Sequence, residues 1–190
     1  MGNPLRDARW LRQPADAVVD EDGVRFTTSA ATDLWQRTYY GFRNDSAPAL
    51  LLSMAEQTFT VRVGFDYRRR YDQAGVLVHI DSENWAKASI EFEDADVSRL
   101  GSVVTTAGWS DWATRDIPST RRMWYRVSQR GPDVLFEACP DGVHWEQLRI
   151  FHLTSAQMLV GVYACSPEDS SFEARFDRMR IEPSVWQEHA

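Results

Sequence analysis

The strongest constraint on this chain is a two-residue rhythm in its apolar side chains. In TFTVRVGFDY (58–67), Phe59, Val61, Val63, Phe65 and Tyr67 share one face, while Thr58, Thr60, Arg62 and Asp66 share the other. In QAGVLVHID (73–81), Ala74, Val76, Val78 and Ile80 oppose Gln73, Leu77, His79 and Asp81. WAKASIEFE (85–93) sets Ala86, Ala88, Ile90 and Phe92 against Trp85, Lys87, Ser89, Glu91 and Glu93. Successive side chains of a β-strand point to opposite faces, so a period of two specifies strands that rest one face on a core. No capped 3.6-residue period is sustained; the best helical candidate is one turn over TSAQM (154–158), with Thr154 as its cap.

Turn signals come often: EDG (21–23), RND (43–45), DSEN (81–84), RGPD (130–133) and PDG (140–142). VLFEAC followed by PDGVHWEQL reads as a hairpin, with Asp141-Gly142 supplying the positive-φ turn. MLVGVYAC (158–165) is apolar almost throughout, as expected of a central strand covered on both faces. Meandering strands without crossover helices predict antiparallel sheets stacked face to face. The expectation is an all-β, two-sheet antiparallel sandwich forming one domain over residues 1–190, long enough to need no metal or disulfide staple.

Charge narrows the partners. A net charge of -7 argues against nucleic acid and anionic membrane, and the basic runs at 68–70 and 121–122 read as solvated turns. No apolar stretch approaches the roughly 20 residues of a membrane helix. The opening MGNPLRDARWLRQP lacks the apolar run of a signal peptide. A cytoplasmic protein with Cys139 and Cys165 as reduced, buried thiols is therefore expected. The four histidines show no metal-ligand spacing, and His79 beside Asp81 reads as a hydrogen-bonded pair. Phosphate-binding loops and nucleophile elbows are missing, so neither metal nor cofactor is expected.

The faces turned away from the core carry the functional signal. In LWQRTYYGF (34–42), Trp35, Arg37 and Tyr39 alternate along one side. Rings stack on the apolar faces of sugars or bases, and arginine donates paired hydrogen bonds. Trp85, Lys87 and Glu91 form a similar stripe, Gln73 and His79 add neutral polar groups, and Gly75 would let a ligand approach the backbone. Two loops add to this: RRRYDQ (68–73) brings Tyr71 and Asp72 to a strand entrance, and GWSDWATRD (108–116) carries Trp109, Asp111 and Trp112. If these strands are neighbours, they frame a groove for a carbohydrate or small polar metabolite. The plainer alternative is a solvated sheet face, with Lys87 and Glu91 an ordinary surface charge pair.

DLWQRTYYGF (33–42), YDQAGVLVHID (71–81), WAKASIEFED (85–94), SVVTT (102–106) followed by SDW (110–112), and DGVHWEQLRI (141–150) stand in an order that resembles one family. It is the domain-of-unknown-function family 1349, which includes a fungal regulation-of-enolase protein and bacterial relatives from sugar-utilisation loci. The resemblance runs from about Leu5 to Ile181. It implies a concanavalin A-like jelly roll whose concave sheet binds or cleaves glycans in better-known relatives. The positions it carries over are Trp35, Arg37, Tyr39, Tyr71, Asp72, Gln73, Trp85, Lys87, Glu91, Ser110, Asp111 and Trp112. This chain departs from the pattern at His79, where relatives often have Arg, and at DSAPALL (45–51), where they often have Asp-Gly-His.

Three functions remain open. EFEDAD (91–96) resembles the paired-acid strand of laminarinase-type glycoside hydrolases, which makes Glu91 and Glu93 the weak catalytic candidates. Retaining chemistry would need two carboxyls about 5–5.5 Å apart. A non-catalytic carbohydrate or metabolite binder is the favoured reading, with a possible regulatory role in sugar metabolism. A regulatory module that takes a protein partner is the alternative to it.

Overall fold

The computed structural model describes residues 2–187. In chain order its strands are β1 (Arg9–Arg12), β2 (Ala17–Val19), β3 (Gly23–Thr27), β4 (Leu34–Gln36), β5 (Arg43–Asp45), β6 (Ala49–Met54), β7 (Gln57–Phe65) and β8 (Gln73–Asp81). They continue with β9 (Asn84–Phe92), β10 (Val97–Thr106), β11 (Trp109–Pro118), β12 (Arg122–Arg130), β13 (Asp133–Cys139), β14 (Glu146–His152), β15 (Met158–Cys165) and β16 (Glu173–Pro183). One seven-stranded sheet runs β1-β6-β15-β8-β9-β10-β11, the other β14-β13-β12-β7-β16-β3-β2, and β4 with β5 forms a separate ribbon. Every strand pairing is antiparallel. This is the expected jelly-roll sandwich.

The core follows the two-residue rhythm. Phe59, Val61, Val63 and Phe65 of β7 face Ala74, Val76 and Val78 of β8 and Ala86, Ala88 and Ile90 of β9, all within one buried cluster. β15 lies between β6 and β8 and is almost wholly buried, as its continuous apolar character requires. Two polar side chains on the far side of β7 are buried as well. Thr58 shares a 2.8 Å hydrogen bond with Ser128, whereas the Thr60 hydroxyl has no partner. Both cysteines are free and buried.

Five local expectations change. GWSDWATRD (108–116) is not a loop: from Trp109 it forms the edge strand β11, paired residue by residue with β10. TSAQM forms no helical turn; Gln157 donates its backbone N–H to the Ser155 hydroxyl in an open bend before β15. RND is not a turn but strand β5, paired with β4. Gly142 does adopt a positive φ of 81°, yet the β13–β14 connection takes all of residues 140–145. The Asp141 carboxylate holds that loop by accepting from the N–H groups of Val143 and His144. Finally, LWQRTYYGF is a strand only as far as Gln36. Arg37 (φ 58°), Tyr39 (φ 63°) and Gly41 (φ 74°) lie in the left-handed region and curl the chain into a tight turn. The turn is closed by Arg37 N–H to the Phe42 carbonyl at 2.8 Å.

Gly75 is needed for strand packing rather than for ligand approach. A Cβ there would sit 1.9 Å from the Ala88 carbonyl oxygen, and one at Gly161 would sit 2.0 Å from that of Leu50. Backbone cannot give way as a flexible side chain can. Gly75→Ala and Gly161→Ala should each cost about 3 kcal/mol or more in urea unfolding. A loss below about 1 kcal/mol would contradict this packing.

Candidate functional site

The sheet that contains β8, β9 and β10 has an outer face, turned away from the core, and residues 28–48 cover part of it. Under that cover lies a second apolar cluster: Leu34, Trp35, Ala47, Ala49, Leu51, Leu77, Trp85, Val103, Tyr163 and Cys165. Trp85 is only 1% exposed and does not line the open cavity. It is a packing residue, not a stacking platform. Arg37 acts as a clamp. Its guanidinium donates to the Gly108 carbonyl at 2.7 Å and to Glu83 at 3.2 Å, and it lies over the Trp109 ring. Arg43 donates to the same Glu83 carboxylate at 2.8 Å, so both strands of the β4–β5 ribbon are anchored, at its turn end, to the β8–β9 turn. Ser110 seals the underside by accepting from the Gln36 N–H at 2.9 Å.

Beyond the cover the outer face opens into a cavity of about 410 Å³. Its floor is a chain of polar groups supplied by three elements. Lys87 of β9, 4% exposed, donates to Gln73 Oε1 at 2.9 Å and to Asp33 Oδ1 at 3.4 Å. The Tyr163 hydroxyl also donates to Gln73 Oε1, at 3.1 Å. Gln73 in turn donates through Nε2 to Glu91 Oε2 at 3.3 Å. The floor therefore runs Asp33, Lys87, Gln73, Glu91. Trp35, Tyr40, Phe42, Tyr71 and Trp112 provide rings around it, and Ser89 and Arg99 add polar groups. The Trp35 and Trp112 centroids are 6.5 Å apart, edge to face.

Glu91 is the unusual group. Its Oε1 is shielded from solvent and has no hydrogen-bond partner. Burial pushes its carboxyl up from 4.5 to about 7; the Lys87 charge opposes that shift, and the Asp33 carboxylate adds to it. Glu93 is placed differently. It is ion-paired with Arg70 and with Arg99 (3.3 Å), and it is not among the cavity-lining residues. The two glutamates do not face each other across the cavity as a hydrolase pair.

Several residues singled out in the sequence fall outside the cavity. Asp72 is fully buried and fixes the loop before β8, accepting from the N–H groups of Arg68 and Arg69 at 2.9 Å and from the Ser170 hydroxyl. His79 is buried beside Trp85 in the β8–β9 ladder, and burial lowers its pKa below 6.5, with the nearby Arg12 charge acting the same way. It is not hydrogen-bonded to Asp81 as expected: its Nδ1 has no partner, and the Asp81 carboxylate accepts from the Glu83 N–H and from Asn84 instead. Asp111 pairs with Arg149 at 2.8 Å. Tyr39 is 94% exposed and points away from the floor. Tyr71, Gln73, Lys87, Glu91, Trp35 and Trp112 do line the cavity. Asp33, Tyr40, Phe42, Asn44, Ser89 and Arg99 join them without having been singled out. Asp33 stands at the head of the DLWQRTYYGF motif, but it precedes the alternation that drew attention to Trp35. Among the described residues no cluster of side chains could hold a metal ion, and no helix is long and apolar enough to cross a membrane.

Comparison with known sequences now decides the family. Residues 10–184 match the family described as "Protein of unknown function (DUF1349)". The chain belongs to the DUF1349 family. A relative from Saccharomyces cerevisiae named "Regulation of enolase protein 1" is 35% identical over 180 residues, covering 93% of this chain and 90% of that protein. A solved structure of a functionally unknown protein from the same yeast superposes with a TM-score of 0.88 at 32% identity, covering 96% of this chain and 99% of that one. The GH43 protein BlXynB from Bacillus licheniformis superposes at 0.73 with 15% identity, over 93% of this chain and 37% of that one. At that identity the likeness shows the sandwich fold alone.

The raised Glu91 pKa fixes the sign of a stability effect in this DUF1349 chain. The folded protein keeps a proton that the unfolded chain releases above about pH 4.5, so stability falls as pH rises from there through about 7. A carboxamide cannot ionise. Glu91→Gln should therefore match wild type in urea unfolding near pH 4.5 and exceed it by about 2–3 kcal/mol near pH 8. Parallel pH profiles for the two proteins would contradict the assignment.

Proposed function

We propose that this chain is a non-catalytic binding protein that takes a carbohydrate or small polar metabolite into the cavity and through it regulates sugar metabolism. The observation that carries this reading is the floor itself: four polar side chains in a hydrogen-bonded row, largely withdrawn from water, beneath a wall of aromatic rings. Burying such groups is costly unless they are satisfied, and a folded protein retains an incompletely satisfied row where a ligand completes it. Rings around polar donors and acceptors suit a sugar, whose faces are apolar and whose rim is hydroxylated. The regulatory part rests on the name of the yeast relative, and coupling of ligand to partner binding is the physical form such regulation takes. Hydrolysis is less favoured because Glu93 is engaged by two arginines away from the floor.

A second reading has its own observation. Tyr39, Tyr40, Phe42, Trp109 and Trp112 are large exposed rings around the β4–β5 ribbon. Exposed aromatics in one place mark protein contacts as well as ligand sites. In this reading a protein partner docks over the cavity mouth.

A panel of mono- and oligosaccharides and sugar phosphates, read by tryptophan fluorescence and thermal shift, separates the two. Trp35 and Trp112 at the cavity supply the signal. A binding protein gives at least one hit, weakened about tenfold by Trp112→Ala. Silence across the panel would favour the protein contact.

A further inference from the structure

The charges around the cavity do not balance, and the imbalance has a location. Two cations line it, Lys87 and Arg99. Lys87 is matched by Asp33 at 3.4 Å. Arg99 is matched by Glu93 at 3.3 Å and by Asp116 at 3.7 Å. Both cations thus make their ion pairs with carboxylates other than Glu91, although Arg99 shares Glu93 with Arg70. Glu91 makes no ion pair among the described residues; the Lys87 and Arg99 charges act on it only at longer range, and its Oε1 is shielded and unpartnered. Glu168 at the rim forms no ion pair among the described residues. Around this excess of negative charge stand five rings whose π faces attract cations; the Tyr71 ring already carries the Arg70 guanidinium at 4.7 Å, which leaves Trp35, Tyr40, Phe42 and Trp112.

We propose that the cavity selects a cationic ligand, a small hydroxylated molecule bearing an ammonium group such as an amino sugar, with the ammonium seated against the Glu91 carboxylate where that residue lines the cavity. The inference rests on the binding reading above and narrows its ligand class. The ammonium supplies the direct ion pair that Glu91 lacks, and ring contacts add to its binding. A phosphorylated sugar is disfavoured, since its charge would meet Asp33, Glu91 and Glu168 together. Because burial keeps Glu91 partly protonated near neutrality, seating a cation expels that proton. The charged groups facing Glu91 that set this response are Lys87, Asp33, Arg99 and Glu93.

Isothermal titration near pH 6.5 tests it, with glucosamine, galactosamine, mannosamine and choline set against glucose, galactose, N-acetylglucosamine and glucose 6-phosphate. Running each in two buffers of different ionisation heat counts protons. At least one amine should bind about tenfold or more tightly than its neutral counterpart, with release of a fraction of a proton. Glu91→Gln should abolish both the preference for the amine and the proton release. Equal binding of amines and neutral sugars, or preference for the phosphate, would overturn the cationic selection and leave the binding reading intact. Absence of binding by every compound, with Trp112→Ala no different from wild type, would overturn both.

Discussion

A buried ammonium organises the outer face of this sandwich. Lys87 projects from a central strand into a region with little water, where an isolated charge costs several kcal/mol. Its partners come from three parts of the chain. Gln73 lies on β8 four residues before Leu77, the cross-strand partner of Lys87; the Tyr163 ring lies 5.7 Å away, and Asp33 arrives from a loop more than fifty residues earlier. That last contact joins the loop to the cavity floor, while the apolar cluster and the Arg37 and Arg43 anchors hold the following residues on the rest of the face. Backbone bonds from Ala31 and Thr32 to Glu168 and Ser166 guide it there, and the Asp33 carboxylate completes the neutralisation.

Placement of this loop divides the face in two. One half receives Leu34 and Ala47 and becomes dry, closing over Trp85, Leu77 and Cys165. The other half stays open because its side chains are charged or amide groups that no apolar cover could satisfy. The ribbon that ends the covered half also supplies Tyr40 and Phe42 to the wall of the open half. Cover and cavity are therefore two results of one piece of local folding.

The fold was legible in the sequence because a sheet face on a core imposes a period of two that short-range reading detects. Phe59 through Phe65 and Ala74 through Val78 face inward as that rhythm requires. The site was only partly legible. Gln73, Lys87 and Glu91 stood out as polar residues on strand positions opposite the core. Trp85 shares their face and was read the same way, but whether a ring on an outer face is exposed or covered depends on a distant loop. Trp35, Arg37 and Tyr39 were read as one stripe; left-handed residues at Arg37 and Tyr39 broke it, and non-glycine residues give little local sign of that conformation. Asp33 escaped notice for the converse reason, since its role comes from a long-range ion pair. The family match to DUF1349 restores the order of the motifs but assigns none of these residues a role.

The central claim is that the open half of the outer face ends in a buried carboxyl that no cation pairs with directly. A carbon-13 NMR titration of the Glu91 carboxyl group in the ligand-free protein tests this most directly. The account predicts a midpoint near 7, well above the ordinary 4.5. A midpoint at or below 4.5 would mean that Lys87 or Arg99 already neutralises Glu91, and the cavity would lack the vacancy on which its proposed selectivity rests.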